Sequence, residues 1–372
     1  MNRRELMVAA GAAGLSFGLS SAQGQSSMRY TALALQTVCD AVNQDKNPRS
    51  ARERMEAAVG RVRGQIASAR GFLQGFNGYD VKLVVLPEYW MTGFPLRETR
   101  EEWQDKAAID QDGKFAEMLA NLAQTFKIYL CSNHYENDPK FPDLYFQSNV
   151  IYGPSGDQIL RYRRMISLYT PSPYDVWDQF LEAYGADAVF PVTETEIGTL
   201  GTIASEEILY PEIARMLAFK GAEVLLHPTS EVGAPTLTPK HISKKARAIE
   251  NIAYVVSANS ASIIGTPVPA ASTDAMSIVL DAYGRTLAEA GSGETLNANA
   301  VLDIGALRET RKKTGMTNTL SRLPNAAFAS GYTQANHAPP NRTPDAQMME
   351  KADAIAAQQA VIDRLADAGI LK

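Results

Sequence analysis

Residues 81–95 read VKLVVLPEYWMTGFP. The near-continuous apolar run 81–86 suits a strand buried on both faces. Glu88 stands just past its end, where open α/β sheets tend to bind ligands. Upstream, Met55, Val59, Val62, Ile66 and Ala69 recur at helical spacing over 51–73, with Ser50 as the expected N-cap and Asn77-Gly78 as the break. Residues 29–37 alternate like a strand. Downstream, the pattern predicts a helix over 113–126 and a strand over 128–133.

The pattern then changes. Runs 145–152 and 157–164 flank Gly153-Pro154-Ser155-Gly156 and read as a hairpin. A polar, aromatic loop follows from Tyr169 to Tyr184. Strands are expected at 197–204, 222–227 and 252–259, alternating with helices at 210–220 and 239–250. A second hairpin joins 275–281 to 285–290 through Ala282-Tyr283-Gly284, and a last strand lies near 298–303. Strands alternating with helices, plus hairpins, predict a mixed sheet layered with helices. One domain spans about 28–305. Residues 306–372 form an extension, rich in Asn, Pro and Thr to about 343 and then helical from Thr343-Pro344. Met348, Ala352, Ile355, Ile362 and Ala366 form its apolar stripe, which docks on its own domain or on a second subunit.

The 372 residues carry a net charge of −5, with 36 basic and 41 acidic side chains. That balance lacks the basic surplus of a nucleic-acid binder. Two cysteines and four scattered histidines argue against a disulfide scaffold and a metal centre. Cys39 and Cys131 follow early strands and read as buried thiols, with a disulfide as the alternative. Residues 1–27 begin with Arg3-Arg4, continue apolar from Leu6 to Leu19, and end in small residues around Ala22. They read as an export signal of the twin-arginine kind, placing the protein in the periplasm if its source is Gram-negative. No later run is long enough for a membrane span.

Three separated segments carry a resemblance. They are Val84-Val85-Leu86-Pro87-Glu88-Tyr89-Trp90 with Gly93-Phe94-Pro95, then Arg161-Tyr162-Arg163-Arg164 after the first hairpin, then Gly201–Glu212 (GTIASEEILYPE) followed by Gly221–Thr229 (GAEVLLHPT). Residues 244–259 fit the same order. Together they resemble the nitrilase superfamily of carbon–nitrogen hydrolases over roughly 30–305. The resemblance implies a nitrilase-like α/β fold, a four-layer α-β-β-α sandwich, here with the C-terminal extension. It implies subunit pairing into a homodimer or higher homo-oligomer. It also implies a Glu–Lys–Cys triad acting on amides and nitriles without metal or organic cofactor.

By that resemblance Glu88 is the general base, Arg164 stands where the lysine belongs, and Ser205 stands where the cysteine belongs. Glu207 matches the acid two residues on, and Glu182 is the candidate second glutamate. Both departures weaken thiol chemistry: a serine hydroxyl needs a stronger base than a thiol, and arginine neither deprotonates nor relays a proton. His227 is a candidate extra base for Ser205, against the alternative of a hydrogen-bonded histidine at a strand end. Tyr174 and Trp177 line an aromatic pocket or else pack a loop on itself. Three readings stay open: a hydrolase using Ser205, with Glu88 free and Ser205 accessible; a pocket binding a small amide, nitrile or carboxylate ligand, with Glu88 tied to Arg164; and a structural subunit with a closed pocket.

Overall fold

The computed structural model describes residues 28–335, 337–343 and 349–372; the expected export signal at 1–27 lies outside them. The first half of the chain runs β1 (Arg29–Ala34), β2 (Val38–Asp40), α1 (Pro48–Asn77), β3 (Val81–Val85), α2 (Arg100–Ala107), β4 (Ile109–Asp110) and α3 (Lys114–Phe126). It closes with the antiparallel strands β5 (Tyr129–Asp138), β6 (Phe141–Tyr152) and β7 (Gln158–Arg163). The second half runs α4 (Trp177–Tyr184), β8 (Val192–Thr195), β9 (Gly198–Thr202), α5 (Pro211–Phe219), β10 (Val224–Pro228), α6 (Pro239–Asn251) and β11 (Tyr254–Ala258). Then come β12 (Ser262–Ile264), β13 (Ile278–Leu280), β14 (Thr286–Glu289) and β15 (Asn299–Asp303). The helices α7 (Ile304–Lys312), α8 (Asn325–Gln334) and α9 (Lys351–Asp367) complete it.

Two main sheets result. One has the order β15-β1-β3-β5-β6-β7, with β4 beside β5; the other has β14-β13-β11-β10-β9-β8. Within them β1, β3 and β5 are parallel neighbours, as are β9, β10 and β11. The sheets face each other through Ala32, Leu83, Val85 and Cys131 on one side and Leu200, Leu226 and Val256 on the other. The outer face of the first sheet is covered by α1 and α3 through Met55, Val62, Ile66, Leu119 and Leu122. The outer face of the second is covered around α5 and α6 by Ala214, Leu217 and Ala248. The four layers are α-β-β-α, and burial on both faces accounts for the apolar strands. The parallel strands of both sheets end toward one region, which gathers the loops after β3, β9 and β10.

Local chemistry sets the boundaries. The first long helix begins ahead of the expected Ser50 cap. Pro48 takes its first turn, where a missing N–H goes unmissed, and Asn47 caps it by accepting from the Ser50 amide at 3.0 Å. The aromatic loop 169–184 ends in α4, because Phe180 buries there against Phe141 and Phe146. The extension is anchored by α7: Arg308 grips Glu223 at 2.7 and 2.9 Å, and Arg311 donates to the carbonyls of Ile252, Ala222 and Asn251.

The terminal helix departs from its expected stripe. Ala354 is buried and Ala357, Val361 and Leu365 are half-buried, whereas Ile355 and Ile362 face outward. At its two ends Lys351 donates to the Leu96 carbonyl and Arg364 to the His337 carbonyl. Met348 and Pro344 lie outside the described residues.

Candidate active site

Glu88 sits at the carboxyl end of β3 and is almost fully buried. Its loop is held from both sheets: the Glu88 amide donates to the Thr229 carbonyl at 3.2 Å, and the Tyr89 amide donates to Asn133 Oδ1 at 2.8 Å. The turn also needs Gly93. Its φ is +72°, and a Cβ there would lie 2.6 Å from Ala41 Cβ. The carboxylate accepts from Gln147 Nε2 at 3.0 Å, Arg164 Nη1 at 3.1 Å and the Ser230 amide at 3.1 Å.

Arg164 follows β7 and is the arginine of its run that turns toward Glu88. Arg161 and Arg163 pair with Glu136, and Arg163 also with Asp138. The Arg164 guanidinium bridges Glu88 and Glu206, the latter at 2.6 Å, and donates to Gln147 Oε1 at 2.6 Å and the Ile166 carbonyl at 2.8 Å. Burial works against its charge, but Glu206, Glu88 and Glu207 outweigh it and raise its pKa. Arg164 is a permanent cation whose donors are engaged by protein acceptors.

Ser205 follows β9 at the start of a single 3-10 turn over Ser205–Leu209. Its φ is +46°, a conformation that a residue with a Cβ rarely takes, and it is 3% exposed. The Oγ accepts from Lys240 Nζ at 3.1 Å. Lys240, in the first turn of α6, also reaches the Ser230 carbonyl at 3.4 Å and Thr229 Oγ1 at 3.5 Å. Glu207 braces the turn from behind. It accepts from Tyr162 Oη, the Met165 and Ile166 amides and the Ala204 amide at 2.7–3.1 Å. Burial pushes its carboxyl above the usual range, against the opposing pull of Arg164. Its role is to hold backbone.

The sequence profile of the carbon–nitrogen hydrolase family matches residues 54–312. The chain belongs to that family. The omega-amidase NIT3 of Saccharomyces cerevisiae is 26% identical over 239 residues, covering 64% of this chain and 80% of that protein. A nitrilase of Pyrococcus abyssi is 33% identical over 195 residues, covering 52% and 67%. The carbon–nitrogen hydrolase of Helicobacter pylori superposes with a TM-score of 0.61 at 21% identity, over 82% of this chain and 98% of that one. Family and fold thus agree with the nitrilase superfamily.

Other expected residues sit differently. His227, at the end of β10, touches Ser205 through the backbone carbonyl (Nε2 at 2.8 Å) and Ser257 Oγ through Nδ1 (2.8 Å). Burial, with Lys244 nearby, pushes it down to about 3. It therefore stands as a neutral strand-end histidine and not as a base for Oγ. Glu182 is exposed on α4, because that helix turns Phe180 inward; the buried acid of the segment is Asp175, which binds Arg342 and the Ser172 amide. Tyr174 and Trp177 pack edge to face, and Tyr174 donates to the Ala338 carbonyl, which ties the loop to the extension. Cys39 and Cys131 are free and buried, their thiols both pushed up to about 12 by burial.

Sequence reasoning missed Lys240 and the polar ladder Gln147–Asn133–Asn149–Thr202 that runs between the sheets under Glu88. The i, i+4 lysines Lys240 and Lys244 at a Thr238-Pro239 helix start were a visible signal, but not which side chain reaches Ser205. Among the described residues, no group of three or more His, Cys, Asp or Glu is placed to hold a metal, and no helix is long and apolar enough to cross a membrane.

Proposed function

We propose that this protein hydrolyses the carbon–nitrogen bond of small, neutral, non-peptide amides, with Ser205 as nucleophile in place of the family's cysteine. One observation carries the reading. Ser205 occupies the left-handed turn after β9 with its Oγ hydrogen-bonded, beside the buried Glu88–Arg164 pair. Neutral substrates are favoured because Arg164 is already neutralised by Glu88 and Glu206, leaving no free charge there for a ligand carboxylate. The free Glu88 and accessible Ser205 expected of such a hydrolase are not what the structure has: Glu88 is tied to Arg164 and the Ser230 amide, and Ser205 is buried. In this reading Glu88 is therefore an anchor, the base for Ser205 comes from another residue, and substrate entry requires the site to open.

The second reading is a non-catalytic binding protein. It draws on the same Glu88–Arg164 tie and on the burial of Ser205. The test is to incubate the full chain with a panel of small amides and nitriles and follow product by mass spectrometry. Wild type should release product, and Ser205→Ala should not. A silent wild type beside an active Ser205→Cys/Arg164→Lys double variant would favour binding.

We further propose export on the strength of Arg3-Arg4 and the apolar run behind them. We also propose self-association, supported by the exposed Leu209, Tyr210, Phe219 and Ile249 around the outer helices. Cell fractionation and light scattering test these two points.

A further inference from the structure

The lysine expected beside Glu88 is absent, yet a lysine reaches the nucleophile from another element. Lys240 Nζ lies 3.1 Å from Ser205 Oγ. Among the described residues Lys240 forms no ion pair. The neighbouring carboxylate Glu231 is instead held by Lys244, one helical turn on, at 2.5 Å, and by Thr238 Oγ1 at 2.6 Å. Lys240 is aimed by two neutral acceptors, the Ser230 carbonyl and Thr229 Oγ1. Ser230 couples the two halves of the site, since its amide binds Glu88 and its carbonyl binds Lys240.

From this geometry, and resting on the reading of Ser205 as nucleophile, we infer that Lys240 is the general base and acid of a serine–lysine dyad. Lysine is suited to this because its amine gives up and regains a proton, as the guanidinium of Arg164 does not. The step starts from the neutral amine with the hydrogen bond reversed, Oγ donating to Nζ: the lone pair of Lys240 Nζ takes the Ser205 Oγ proton as Oγ bonds to the amide carbonyl carbon. The ammonium returns that proton to the leaving nitrogen as the carbon–nitrogen bond breaks, releasing an amine and leaving an ester on Ser205. Water then adds to the ester carbonyl and gives a proton to Lys240. The ester bond breaks, Oγ recovers a proton, and the carboxylic acid leaves.

The titratable groups near Lys240 are Glu231, with its partner Lys244, and Asp274 and His227. His227 is neutral throughout the working range, with a pKa of about 3. Asp274 is pushed up to about 7, chiefly by burial and then by Glu231, so it titrates near neutrality and calls for a control.

The test labels the full chain with a fluorophosphonate, read by intact mass, alongside amide turnover across pH 6–10. Wild type should label on Ser205 at a rate that rises with pH, and Ser205→Ala should not label. Lys240→Met should slow labelling by about 100-fold or more, the range for losing a general base, and flatten the pH rise. Lys240→Arg keeps the charge and the hydrogen bond but supplies no base, so it should fall equally. Asp274→Asn should keep the rise. If Lys240→Arg keeps most of the wild-type rate, or Lys240→Met keeps the pH profile, Lys240 is not the base although Ser205 remains the nucleophile. If wild type never labels and never turns over, the reading of Ser205 falls, and the dyad with it.

Discussion

Removing the Arg164 side-chain charge by Arg164→Met tests the internal electrostatics of the site most directly. The arginine and glutamate side chains are 9% and 4% exposed and 3.1 Å apart. Breaking a buried pair by deleting one partner typically destabilises by about 3–5 kcal/mol, because a charge is left uncompensated. Glu88 keeps two donors after the change, Gln147 Nε2 and the Ser230 amide, which offsets part of the loss. Gln147 Oε1 and the Ile166 carbonyl lose their donor, which adds to it. The expected loss is about 3 kcal/mol. Glu88→Gln alone should cost less, about 1–2 kcal/mol, since Arg164 keeps Glu206. The double variant should then be more stable than the sum of the singles by about 1.5 kcal/mol, because the buried Glu88 carboxylate is gone and only the more exposed Glu206 is left without its partner. Urea unfolding followed by circular dichroism at one pH gives all three values. A loss below about 1 kcal/mol for Arg164→Met, or strictly additive losses, would refute the claim that this pair is a mutually compensating buried unit.

Two further expectations follow from the same residues. Ser205→Gly should be more stable than Ser205→Ala by about 1 kcal/mol, because glycine adopts a φ of +46° without strain; equal stability in thermal melts would show that the turn is unstrained. His134 and His227, both pushed down to about 3 by burial, lie below the unfolded histidine value of about 6.5. Their contribution is complete above that value and is lost as pH falls toward 3, since the unfolded chain then binds more protons. Stability should therefore decline from about pH 6.5 downward, and His227→Gln, which cannot titrate, should shallow that decline; an unchanged slope would count against the assignment.

The architecture was legible because its signals are local. The run at 81–86, the Gly-Pro-Ser-Gly hairpin and the apolar spacing of 51–73 each report their own burial. Glu88, Arg164 and Ser205 could likewise be placed from segment order. What stayed hidden depends on where whole elements land. Glu182 and Phe180 share a short helix, and the burial of Phe180 decides that Glu182 faces solvent. His227 lies at the right sheet edge, but the side chain meets the Ser205 carbonyl and not its hydroxyl, a difference of a few ångströms that no spacing encodes. Lys240 required the helix start, the preceding loop and the serine turn to be placed together.

If the resemblance places Arg164 and Ser205 correctly at the lysine and cysteine positions, the proposed dyad makes the two departures one change. An arginine in the place of the lysine keeps a positive charge beside Glu88, but it fixes that charge: Glu88, Glu206, Gln147 and the Ile166 carbonyl take up its donors. It gives no proton to a nucleophile and takes none from it. A thiolate, the more acidic partner, gains most from a nearby cation that stabilises its charge. A serine hydroxyl needs a group that accepts its proton during attack. Lys240 lies against Ser205 Oγ and Arg164 against Glu88, so the fixed charge and the mobile proton are assigned to different side chains on different elements. On this view restoring Arg164→Lys alone should not raise the reactivity of Ser205, because the base for the hydroxyl sits on α6. Fluorophosphonate labelling of that variant decides the point: a large gain in rate would show that proton transfer runs through the 164 position after all.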